Sequence, residues 1–154
     1  HYFQLYKVLI HPIPKITMND SFKAEDFMTN FRSLVTVKPD MDVLDAMYLL
    51  LSKKRSGIPV VERDGTLVGT FSEKDCIKFF LKTEDHSKKS NLVSDIMKNR
   101  DEVVTVEVST SIVECSEIFA KGPYLRLPVM KDNKLMGQLS RSDVLRCICQ
   151  QKGL

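Results

Sequence analysis

Short apolar runs and helical patterns alternate along the chain, and one set of elements occurs twice. Val35 to Val37 reads as a short extended segment. Asp42 to Lys54 then reads as a helix that Asp42 can cap, with Asp45 three residues on. Gly57 is its stop signal. Ile58 to Val61 is an uninterrupted apolar run, as in a strand buried on both faces. Asp64-Gly65 marks a turn, Leu67 to Phe71 is the returning strand, and a second helix runs from Glu73 to about Lys82. A helical lead-in, Ala24 to Met28, precedes the unit, and Val93 to Met97 matches it further along.

The duplication is visible in the residues themselves. At an offset of 69, Asp26 meets Asp95, Met28 meets Met97, Val35-Thr36-Val37 meets Val104-Thr105-Val106, and Pro59-Val60 meets Pro128-Val129. One residue is then lost in a loop. At an offset of 68, Gly69 meets Gly137, Ser72 meets Ser140, and Asp75 meets Asp143. Each copy is a β-α-β-β-α unit, and Ser111 with Glu114 caps the second copy's first helix as Asp42 with Asp45 caps the first copy's. A unit of about 60 residues with three strands is marginal alone. Two packed together would bury both sheets, which makes the predicted class α/β (α+β).

Composition narrows the function. With 43% hydrophobic and 28% charged residues the 154-residue chain is globular. A net charge of +3 is too small for a dedicated nucleic-acid binder. The longest apolar run, Ala46 to Leu51, is far short of a membrane span. Cys76, Cys115, Cys147 and Cys149 form no CxxC and point to a reducing compartment, read here as cytoplasmic. His1, His11 and His86 lie beside no candidate nucleophile, and Cys147 and Cys149 point to nearly opposite helix faces, so no catalytic residue and no metal site is assigned. The glycines form no phosphate loop. Binding is therefore expected rather than catalysis; an enzyme using Cys115 or Cys147 lacks a visible base.

The richest elements are Gly69-Thr70-Phe71-Ser72-Glu73-Lys74-Asp75 and Gly137-Gln138-Leu139-Ser140-Arg141-Ser142-Asp143, each where a strand hands over to a helix. Ser-x-x-Asp is a capping-box start that satisfies free amides. The same place also attracts anions, and an aspartate in the first turn can accept from the two hydroxyls of a ribose diol. One serine can cap in the empty state and assist a ligand in the other.

With Asp26-Phe27-Met28-Thr29, Ile58-Pro59-Val60-Val61 and Gly69 through Asp75, and their counterparts Asp95-Ile96-Met97-Lys98, Leu127-Pro128-Val129-Met130 and Gly137 through Asp143, the sequence resembles a tandem pair of CBS domains, the regulatory Bateman module. The resemblance covers about residues 23 to 150. It implies two repeats packed sheet to sheet with pseudo-twofold symmetry. It also implies two clefts for AMP, ADP, ATP or S-adenosylmethionine as a regulatory ligand, with no required cofactor. By that resemblance one cleft uses Ser140, Asp143 and Arg126, faced by Thr29, Ser33 and Ser56. The other uses Ser72 and Asp75, faced by Lys98 and Leu125. Gly57 stands in the first repeat where Arg126 stands in the second, so the Asp143 cleft ranks first for phosphate and Lys98 is the substitute cation in the other. A solvated arginine at Arg126 and a turn residue at Thr29 are the plainer alternatives.

The expected domains are an N-terminal arm over 1–22, repeats over 23–82 and 92–152, and a polar linker over 83–91. The arm carries the apolar residues Tyr2, Phe3, Leu5, Tyr6, Val8, Leu9 and Ile10 and is read as packing on its own or a neighbouring chain rather than as a signal peptide. Cys76, Ile77, Phe79, Phe80 and Leu81 cover an arc of about 200°, wider than the roughly 100° stripe one packed face needs, and Val144, Leu145, Cys147, Ile148 and Cys149 repeat it. A homodimer through these helices is expected. The function expected is regulatory sensing of an adenosine-containing small molecule, acting alone or on an attached enzyme, channel or transporter. The alternative is a ligand-free dimerisation or protein-interaction module.

Overall fold

The computed structural model describes residues 20–82 and 91–153. The elements are α1 (Ala24–Phe27), β1 (Thr29–Asn30), α2 (Val43–Ser52), β2 (Gly57–Val61), β3 (Leu67–Ser72), α3 (Glu73–Lys82), α4 (Val93–Ile96), β4 (Lys98–Asn99), β5 (Val106–Glu107), α5 (Ile112–Lys121), β6 (Arg126–Lys131), β7 (Lys134–Ser140) and α6 (Arg141–Gln151). Two sheets result, ordered β1-β7-β6-β5 and β2-β3-β4. This is the expected mixed α+β class with a duplicated unit. The apolar arm falls almost entirely outside the described residues, as does all but residue 91 of the linker.

The two copies are interleaved. β1 of the first repeat pairs with β7 of the second, and β4 of the second pairs with β3 of the first. The lead-in helices cross over as well. Ala24 is buried among Ile112, Cys115, Leu127 and Leu139 of the second repeat, and Val93 among Ala46, Ile58 and Phe71 of the first. Backbone bonds fix the exchange: Ala24 N–H donates to the Thr110 carbonyl at 2.8 Å and Val93 N–H to the Met41 carbonyl at 2.9 Å. A third cluster, Val61, Leu67, Met130 and Leu135, joins the two hairpins.

The motif residues explain this interlock. Asp26 and Asp95 accept from the backbone N–H of Lys23 and Leu92, each at 2.8 Å, and so cap the lead-in turns. Gly69 and Gly137 lie under the exchanged strands: a Cβ at Gly137 would stand 2.3 Å from the Thr29 carbonyl oxygen, and one at Gly69 would stand 2.2 Å from that of Lys98. Met28 and Met97 pack their sulfurs over these same glycines. The Asp-x-Met lead-in of one copy is thus the partner of the Gly-x-x-Ser turn of the other.

Two local differences between the copies have simple causes. In the second copy Val108 N–H donates to the Met130 carbonyl at 3.0 Å, extending the parallel pairing of β5 with β6. The first copy has Pro39 at that position, which lacks an N–H, and the expected strand Val35 to Val37 shrinks to a single bridge between Val37 and Val60. The residue lost between copies lies in the hairpins. Asp132 and Asn133 both take positive φ, 52° and 63°, in a two-residue turn, whereas Gly65 at φ 89° serves a longer loop.

Candidate functional site

The handover from β7 to α6 builds the site. Ser140 accepts from Asp143 N–H at 3.2 Å while Asp143 Oδ2 accepts from Ser140 N–H at 2.7 Å, a reciprocal cap on the helix. Asp143 is 3% exposed and is the one charged side chain in the buried class among the described residues. A buried carboxylate needs partners, and Arg146, one turn along α6, donates Nη2 to Asp143 Oδ1. Ser140 Oγ also lies 2.9 Å from Ser142 Oγ.

These residues line a cavity of about 240 Å3 at the boundary of the two repeats. Thr29, Ser33, Arg126, Ser140 and Asp143 meet there, as the sequence reading grouped them. Ser56 does not; it lines an outer cavity of about 530 Å3 and the opposite cleft. Two arginines unforeseen from the sequence join the first cavity, Arg55 and Arg146. Arg146 was legible as the residue three beyond Asp143 on a helix face. Arg55 follows the end of α2, where Lys54 takes a left-handed φ of 52° and Arg55 N–H donates back to the Leu50 carbonyl at 3.0 Å.

The opposite cleft is less complete. Ser72, Lys98 and Leu125 line a cavity of about 190 Å3 with Tyr124 and Val104. Asp75 accepts from Ser72 Oγ at 2.8 Å and from its N–H at 3.1 Å, yet it lines a separate cavity with Lys78, Lys82 and Asp95. Arg126 reaches both clefts. The buried thiols are poor nucleophiles: burial pushes Cys76 and Cys115 up to about 11, and Cys147 is raised for the same reason.

The CBS domain model matches residues 24–82 and 93–150. This chain belongs to the CBS domain family. As a CBS pair it is 31% identical over 158 residues to the CBS domain-containing protein CBSX2, chloroplastic, of Arabidopsis thaliana, covering 87% of this chain and 66% of that protein. It is 34% identical over 113 residues to inosine-5'-monophosphate dehydrogenase of Aquifex aeolicus, covering 73% of this chain and 22% of the enzyme. The chain thus spans just under two thirds of the plant protein and about a fifth of the dehydrogenase. Among solved structures, CBSX2 in complex with AMP superposes with a TM-score of 0.73 at 34% identity, covering 85% of this chain and 98% of that one. No helix of the described residues is long and apolar enough to cross a membrane.

Proposed function

We propose that this CBS pair is a non-enzymatic regulatory module. It takes an adenine nucleotide or a related adenosyl ligand between its repeats and signals occupancy by a change of shape or association. The cavity carries this reading: a carboxylate able to accept from a ribose diol, hydroxyls from both repeats, and guanidinium groups for phosphate converge on one space. The AMP complex of CBSX2 supports the ligand class. AMP, ADP, ATP and S-adenosylmethionine are the ligands to try. A ligand bound only by the native state at 100 times its Kd adds about 2.7 kcal/mol, a rise in thermal midpoint of roughly 5–10 °C. A midpoint that none of the four moves favours a pure interaction module.

The same proposal includes a homodimer. Leu44, Tyr48 and Leu51 stand exposed along α2, as do Ile77 and Leu81 on α3 and Leu145 on α6. Such a set of exposed large apolar side chains supports a protein partner, and the duplicated arrangement suits a second copy. An attached or associated enzyme or transporter is the target such a module would control. Four free cysteines, three of them buried, suit a reducing compartment such as the cytoplasm.

A further inference from the structure

We propose that the Asp143 cleft selects a nucleoside di- or triphosphate over the monophosphate, the second and third phosphates running outward past Arg55 and Arg126 to Lys54 and Arg141. The inference rests on the nucleotide reading above and deepens it. The inner cavity carries Arg55, Arg126 and Arg146 against a single acid, Asp143. Arg146 is paired with Asp143, but Arg55 and Arg126 have no ion-pair or hydrogen-bond partner for their side chains among the described residues. Half-buried guanidinium groups with no ion-pair partner are suited to an anion that a ligand supplies.

A second cavity adjoins the inner one at these arginines. Arg55, Arg126, Ser140 and Ser142 line the outer cavity as well, and beyond them it adds Lys54 and Arg141 with one acid, Glu73. Five cations and two acids thus line two neighbouring cavities that share Arg55, Arg126, Ser140 and Ser142, and the proposed path runs from one to the other. A monophosphate carries about two negative charges and can be matched by one or two of those guanidinium groups; a longer phosphate chain is needed to meet the rest. Lys54 holds a backbone conformation that favours glycine, and this places the Lys54-Arg55 pair at the mouth of the path.

Binding of AMP, ADP, ATP and inorganic tripolyphosphate is measured by calorimetry on the whole chain and on Lys54→Gly/Arg141→Ala. Both positions are exposed, and the glycine keeps the left-handed turn, so an unchanged thermal midpoint verifies folding. The expected result is ATP at least tenfold tighter than AMP in the parent. In the variant that ratio falls toward one through loss of ATP affinity, AMP is held within twofold, and tripolyphosphate competes with ATP in the parent alone. Equal affinity for AMP and ATP, or a ratio the variant leaves intact, overturns the polyphosphate path while leaving the nucleotide reading standing. Failure of every nucleotide to bind overturns both.

Discussion

Thr29 of the first repeat is the strand partner of Gln138 of the second, and both residues line the cavity that Asp143 closes. The site is therefore a product of the strand exchange. Gly137, beside Gln138, admits the exchanged strand because it has no Cβ. Gly137→Ala should force β1 off β7 and cost about 1–3 kcal/mol, as overpacking does. The check is the thermal midpoint, which should fall by several degrees, with nucleotide affinity falling alongside. An alanine variant as stable as the parent would place the strand elsewhere.

Neither repeat should stand alone. Residues 91–154 lack Ala24 and β1, which complete the core and the sheet edge of the second repeat. That half should be poorly folded or aggregated, and adding residues 20–34 as a separate peptide should not fully restore it. A cooperative melt of 91–154 near the midpoint of the whole chain contradicts the interleaved core.

Association should occur through the exposed apolar faces of α2, α3 and α6. Light scattering at micromolar concentration should give twice the chain mass, and Tyr48→Glu/Leu81→Glu should give the monomer without loss of secondary structure. Those two side chains are 74% and 82% exposed, so charges there cost the isolated fold little.

Between the hairpins, Lys134 Nζ lies 2.8 Å from Asp64 Oδ2 and donates to Thr66 Oγ1 at 3.2 Å. The Lys134 ammonium and the Thr66 amide hold the Asp64 carboxyl well below the usual carboxylate range. A depressed folded pKa adds stability that is present above the unfolded value of about 3.9 and that disappears as pH falls through the folded one. The gap in thermal midpoint between the parent and Asp64→Asn should thus be small at pH 7, since the pair is exposed, and should narrow below about pH 4. A gap that widens on acidification reverses the sign of this account.

The repeat, the helices and most of the favoured cleft were legible because duplication marks matching positions in both copies. Glu73 to Lys82 appears in the structure with the bounds read from its pattern. What the pattern alone could not show is which core each lead-in enters: Ala24 to Met28 has the same pattern whichever repeat it packs on, and the Ala24–Thr110 backbone bond, the pairing of β1 with β7 and the close approach at Gly137 place it on the second. Ser56 was placed by its neighbours, but the chain turns at Lys54 and carries Arg55 into the cavity in its stead. Asp75 has the motif of Asp143 yet no arginine one turn on; Lys78 stands there, and the carboxylate borders a different space.

The most direct test is binding of AMP and its 2′-deoxy analogue to the parent and to Asp143→Ala. A carboxylate holding the ribose diol contributes charge-assisted bonds, partly offset by the Arg146 contact that the ligand must share or displace. The expected net loss in Asp143→Ala is about 1.5–3 kcal/mol, roughly 10- to 150-fold in affinity. Asp143→Asn should lose less, and Asp75→Ala should barely change the tighter site. Removing Asp143 also frees the Ser140 N–H, so a stability cost of about 1 kcal/mol should accompany it. The 2′-deoxy analogue should bind the parent more weakly and lose little further in Asp143→Ala. Equal AMP affinity in the parent and Asp143→Ala would contradict the account and leave the carboxylate as a helix cap alone.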